Sequence, residues 1–193
     1  GKSRQVKNMG TVSVRYARAL LLYALEQGES EQVYADMQAL VERLRFIPAI
    51  RERIVDPTVS AEKKQRMLEI ALTDGKRDLS VSTTAFFRLV INAGRGDRLL
   101  FMATSYQSLY RIHNGIVPVQ LVTAVPVGNK YRDRLKKLVE KVKHGKMEWM
   151  QTVDTSIEGG FVLQIDGYRL DASVATKLRR LRKELIDKNN RII

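Results

Sequence analysis

An α+β chain is predicted, an all-α bundle of about six helices followed by a small α/β domain, because the hydrophobic period changes once along the sequence. Up to about residue 113 the apolar residues recur at helical spacing. After Gly115 they alternate, and Asp166-Gly167 then supplies a hairpin signal.

Residues 12 to 27 form the first expected helix. Val33, Met37, Leu40, Val41 and Leu44 stripe a second. Pro48 opens a short third helix to about Val55, and Asp56-Pro57 interrupts the chain. Ser60 is the expected N-cap of a fourth helix through Leu72. Gly75 to Asp78 is a turn, and a fifth helix carries Phe86, Leu89, Val90 and Ala93 on its main face. Gly94 and Gly96 flank Arg95 in a tight connection. A sixth helix presents Leu99, Met102, Ala103, Tyr106, Leu109, Tyr110 and His113. Short loops between such stripes describe a bundle.

Beyond Gly115, Val117, Val119, Leu121, Thr123 and Val125 alternate as a strand, and Tyr131, Leu135, Leu138, Val139 and Val142 stripe a helix. Met147 to Val153 and Phe161 to Ile165 give two further strands. Asp166-Gly167 suits a type I′ turn into a short fourth strand, Tyr168 to Asp171. A last helix aligns Val174, Leu178, Leu181 and Leu185. The expected division is residues 1–8, a patternless arm or a remnant foreign to the fold, then 9–114 and 115–193.

Composition bounds the chemistry. No window approaches the roughly 18 to 20 apolar residues of a membrane span, and the start of the chain has no secretory pattern. With no cysteine there is neither a disulfide framework nor a thiolate metal site. The net charge of +13 is spread over both halves, with 17 basic and 12 acidic residues up to Ser105 and 17 and 9 beyond it. Such an excess speaks to partners rather than to fold.

No catalytic or cofactor-binding pattern emerges. His113 and His144 have no second ligand nearby in sequence, and His113 falls on a helical stripe. Gly159-Gly160 precedes a strand without a following Lys-Ser or Lys-Thr, so it reads as backbone freedom and not as a phosphate loop. Asp154, Glu158, Asp166 and Asp171 lack the ligand spacing of a calcium loop and suit caps and hairpins. Lys177, Arg179, Arg180, Arg182 and Lys183 lie opposite the apolar stripe of the last helix. They form either a solvated face or a surface for an acidic partner.

The first helix is the most informative segment. Val14, Ala17, Leu21 and Leu25 line one face, while Tyr16, Ala19, Leu20 and Tyr23 line another at spacing i, i+3, i+4, i+7. A surface helix needs only one apolar stripe. Two stripes place this helix at the centre of the bundle or reserve one face for a partner's amphipathic helix. Phe87 and Ile91 fall off the main stripe of the fifth helix and are expected to widen such a groove.

Val14-Arg15-Tyr16-Ala17-Arg18-Ala19-Leu20 resembles the opening motif of the delta subunits of F-type ATP synthases, the family of the mitochondrial oligomycin-sensitivity-conferring protein. Gly94-Arg95 is similar to the family's Gly-Arg turn, with Ala93 where the family carries asparagine. Thr123-Ala124 is similar to its Thr-Ala pair. Asp154-Thr155-Ser156-Ile157-Glu158-Gly159-Gly160-Phe161 resembles its C-terminal signature, and Asp171-Ala172-Ser173-Val174 its closing Asp-x-Ser. The likeness runs in register from Met9 to Leu185.

The resemblance implies a non-catalytic stator subunit, without cofactor or metal, in a hetero-oligomeric complex on the cytoplasmic face of a bacterial inner membrane. It implies that domain 9–114 grips the N-terminal helix of an alpha subunit through Tyr16, Ala19, Leu20 and Tyr23. Domain 115–193 would hold the C-terminal ends of the b subunits. Arg95, Asp154, Gly159, Gly160 and Asp171 are its structural residues. On this reading Leu20→Asp abolishes alpha binding and leaves the fold intact. The competing reading of the charge is an RNA-binding helical module such as an antitermination factor, with Arg179, Arg180 and Arg182 dominant and a steep salt dependence. The stator reading expects no nucleic-acid partner and no membrane insertion.

Overall fold

A computed structural model describes the backbone of residues 2–142, 145–165 and 168–189, with side chains for all of these except 2–10, 138, 142 and 184–189. The chain divides into two compact units, residues 1–113 and 114–193.

The first unit contains α1 (Lys2–Glu26), α2 (Ser30–Phe46), α3 (Pro48–Val55), α4 (Ala61–Thr73), α5 (Val81–Asn92) and α6 (Leu99–His113). The start of α1 differs from expectation. Residues 2–8 have helical backbone where the sequence reads as a patternless arm, and no proline interrupts the chain there. Pro48 occupies the first turn of α3, where its missing amide is harmless. Ser60 and Ser80 cap α4 and α5, their side chains accepting the Lys63 and Thr83 amides.

Helix α6 packs most extensively on α1 and α2, so it, and not α1, is the central helix. Val33, Met37, Leu40, Phe87 and Val90 are fully buried, as are Leu99, Met102 and Tyr106 of α6 itself. Gln107 donates to the Met37 carbonyl at 3.0 Å, satisfying the buried amide side chain. His113 ends α6 and is exposed.

The second unit contains β1 (Ile116–Thr123), α7 (Asn129–Val142), β2 (Lys146–Val153), β3 (Phe161–Ile165), β4 (Tyr168–Asp171) and α8 (Val174–Asn189). The sheet order is β2-β1-β3-β4. Strands β1 and β2 are parallel, which requires a crossover, and α7 supplies it. The other pairs are antiparallel, with Leu121 opposite Leu163 and Ile165 opposite Tyr168. The expected turn residues Asp166 and Gly167 lie outside the described residues, as does His144. Val119, Leu121 and Leu163 meet Leu135 and Val139 of α7 in the core of this unit.

Candidate functional site

Helices α1 and α5 wall an apolar groove of about 670 Å³. From α1 it is lined by Arg15, Tyr16, Ala19, Leu20 and Tyr23, and from α5 by Ser82, Ala85, Phe86, Arg88, Leu89 and Asn92. Both walls repeat the same spacing, 16-19-20-23 and 82-85-86-89, which on a helix defines one face.

The floor and the rim differ in exposure. Leu20 is 4% exposed and Phe86 5%, so they form the floor, whereas Tyr23 at 42% and Leu89 at 57% stand along the rim. The near-complete burial of Leu20 undoes its use as a clean probe, because aspartate there would be driven into the bundle's own core. Phe87 corrects a second expectation. It is fully buried in the core and does not widen the groove, while Ile91 is half-buried and absent from the lining. Phe86 and Leu89 take the places expected of them.

Each end of the groove is tied. Helix α5 finishes in a Schellman turn, with the Gly94 amide on the Ile91 carbonyl, the Arg95 amide on the Val90 carbonyl, and Gly94 at φ 65. That turn delivers Arg95 to α1. Its guanidinium lies 5.2 Å from the centre of the Tyr16 ring and donates to the Tyr16 hydroxyl at 2.8 Å. At the other end, Glu29 follows α1 and accepts from the Val81 and Ser82 amides and from the Ser82 hydroxyl. The Ser82 hydroxyl, then its amide, holds the Glu29 carboxyl below its ordinary range.

Behind Glu29 sits Asp36 of α2, fully buried. It accepts from Arg77 Nη2 at 2.7 Å, from Thr83 Oγ1 at 2.8 Å, and from the amide and hydroxyl of Ser80. The orphan donors that open α5 are therefore answered by two carboxylates and the Ser80 cap. These contacts span 41 to 53 positions of sequence and left no local trace.

The second unit presents a different surface. Asp154 caps a short turn, accepting the Ser156 amide, and the Ser156 contact lowers its carboxyl. Asp171 accepts from the Ser173 hydroxyl at 2.6 Å, the Ser173 amide at 3.1 Å and the Thr176 hydroxyl at 3.1 Å. The Ser173 hydroxyl above all brings its carboxyl down to about 2. Gly160 has φ 72, and a Cβ there would fall 2.2 Å from the Ala172 carbonyl oxygen. The Val174 amide donates to the Gly159 carbonyl, so the loop 154–160 seats the start of α8. Along α8, Val174, Leu178 and Leu181 remain 38% to 54% exposed, and Lys177, Arg179, Arg180, Arg182 and Lys183 are exposed as well. Among the described residues no group of His, Cys, Asp and Glu could hold a metal ion, and no helix is long and apolar enough to cross a membrane.

The ATP synthase delta (OSCP) subunit model matches residues 12–185. The delta subunit of Bacteroides fragilis is 38% identical over 185 residues, covering 96% of this chain and 99% of that protein. That of Bacteroides thetaiotaomicron is 37% identical with the same coverage, and that of Flavobacterium johnsoniae 30% identical, covering 90% and 96%. A chain of the Toxoplasma gondii mitochondrial ATP synthase hexamer shares the fold. Its TM-score is 0.67 at 21% identity, covering 90% of this chain and 97% of that one. The comparisons give the RNA-binding alternative no support. With one family model spanning nearly every element and relatives aligned almost end to end, the chain belongs to the ATP synthase delta (OSCP) subunit family, the non-catalytic stator subunits of F-type ATP synthases.

Proposed function

We propose that the α1–α5 groove grips the N-terminal helix of an alpha subunit, and that the second unit holds the C-terminal ends of the b subunits. The catalytic head is then held against rotation from a peripheral position on the cytoplasmic face of the inner membrane. The observation that carries this reading is the groove: two helical faces with matching spacing leave Tyr23 and Leu89 half in solvent beside a buried apolar floor. An amphipathic helix is the occupant that such a shape accepts. For the second unit, support comes from α8, whose apolar face Val174, Leu178 and Leu181 is exposed beside a cationic flank.

A stator joint must stay closed under repeated load, so an affinity near nanomolar, about −12 kcal/mol, is expected. An interface of roughly 1,600 Å² with an apolar anchor supplies that. The test is calorimetric titration of the full chain with a synthetic alpha N-terminal peptide. Leu89→Asp removes an anchor that is 57% exposed in the free protein. Roughly 100 Å² of apolar burial is lost with it, about 2.5 kcal/mol, or about 70-fold before the added cost of desolvating a carboxylate. Phe101→Asp, 52% exposed and outside the groove lining, is the control and should bind normally. Unchanged affinity in a folded Leu89→Asp chain would refute the groove assignment. Leu178→Asp with Leu181→Asp should likewise release a peptide taken from the C-terminal end of the b chain.

A further inference from the structure

Among the described residues, the only charged side chains lining the groove are two cations, one on each wall: Arg15 on α1 and Arg88 on α5. No carboxylate of the described residues lines it. Both arginines are exposed, and neither has an ion-pair partner among the described residues. Glu29, the carboxylate that links the end of α1 to α5, is committed to the first amides of α5. A helix lying between the walls would cover the stems of both arginines and draw their guanidinium groups out of bulk water. Covering an unpaired cation is unfavourable unless the partner brings an opposite charge.

Resting on the groove reading above, we infer that the groove selects an amphipathic helix carrying carboxylates on both flanks of its apolar stripe, which pair with Arg15 and Arg88. The apolar floor supplies most of the affinity, and the two arginines supply discrimination. A helix with lysines at the same flanks meets two like charges and the net positive field of a chain at +13. This is a division of labour between burial and charge, and it makes binding depend on salt in a way that a purely apolar groove does not.

The experiment uses three synthetic forms of the alpha N-terminal peptide: native, with every Asp and Glu changed to the amide, and with every Asp and Glu changed to Lys. Each is titrated into the full chain and into the Arg15→Gln, Arg88→Gln double variant, at low and at high salt. Both substitutions fall on exposed helix positions, and circular dichroism is to check that the double variant folds. At low salt the amide peptide should bind the unaltered chain about 10-fold more weakly than the native peptide, as expected for two partly desolvated pairs, and the Lys peptide more weakly still. High salt should close that gap, and the double variant should bind native and amide peptides alike. Equal affinity for native and amide peptides at low salt overturns the inference while leaving the groove in place. A gap that persists in the double variant also overturns it, since the charge would then be sensed elsewhere. Failure of the native peptide to bind at all refutes the groove reading, and this inference with it.

Discussion

Replacing Asp36 by alanine should destabilise the helical unit by about 3 to 5 kcal/mol, although Asp36 does not line the groove. Its side chain is fully buried and answers four donors: the Arg77 guanidinium, the Ser80 amide, and the Ser80 and Thr83 hydroxyls. Arg77 is 41% exposed and can turn to water at little cost. The Ser80 amide and the Thr83 hydroxyl cannot, since Ser80 is 3% exposed and Thr83 fully buried. Each buried donor left unanswered costs about 1 to 3 kcal/mol, and a small cavity adds to that. The total is a large part of the roughly 5 to 15 kcal/mol typical of a domain. Urea unfolding of the full chain followed by far-ultraviolet circular dichroism measures it. With a slope of about 1 to 3 kcal/mol per molar, the helical midpoint should fall by more than about 1 M at unchanged slope. Asp36→Asn keeps an acceptor oxygen and should lose less. A loss below about 1 kcal/mol in the alanine variant would mean that desolvating the carboxylate cancels its hydrogen bonds, and the account of how α5 is anchored would be wrong.

The other expectations follow from equally local geometry. Gly160→Ala places a Cβ against the Ala172 carbonyl at φ 72, and should destabilise the second unit by about 3 kcal/mol or more, read from the emission of the lone tryptophan, Trp149. The Asp171 carboxyl lies at about 2 in the folded chain, below its unfolded value near 3.9. Its contribution is therefore complete above about pH 4 and lost as pH falls towards 2. Across that window the Trp149 unfolding midpoint should fall more gently in Asp171→Asn than in the unaltered chain. Phe87→Ala should cost about 3 to 5 kcal/mol of bundle stability, since this ring fills core. Tyr16→Phe removes the hydroxyl that Arg95 reaches and should cost about 1 kcal/mol, measured by the same urea titration.

The elements were legible because the two periods, helical and alternating, are written cleanly on either side of Gly115. The doubled stripe of α1 was legible for the same reason. Helix α5 was not, since Phe86, Phe87, Leu89, Val90 and Ile91 make it apolar almost all round. Periodicity then cannot say which side faces the core, and Phe87 falls on the opposite side from the one expected. The pattern that resolves it is the match of 82-85-86-89 to the spacing on α1. Sheet order escaped because pairing β1 with β2 in parallel depends on how α7 crosses over, and no local residue encodes that. The Asp36 and Glu29 contacts escaped because a carboxylate on one helix and the amides it caps on another share no period and no motif.

Those unread contacts bear on how a stator joint lasts. Arg95 on Tyr16 ties α5 to α1 at one end of the groove, and Glu29 on the Val81 and Ser82 amides ties them at the other. Walls tied at both ends need little reordering when a helix enters, so less of the interaction energy is spent on ordering the protein. On the proposed alpha grip, a nanomolar dissociation constant with association near 10⁶ M⁻¹s⁻¹ would keep the bound helix for roughly 1,000 s. Each 1.4 kcal/mol diverted into reshaping a slack groove would weaken binding about tenfold, and most of that would appear as faster release. On that proposal the clamps outside the contact surface help set how long the grip persists, and Arg95→Ala should shorten the residence time of a bound alpha peptide even though Arg95 does not line the groove. Surface plasmon resonance reads that directly, and an unchanged dissociation rate in a folded Arg95→Ala chain would show that the groove holds its width without the tie.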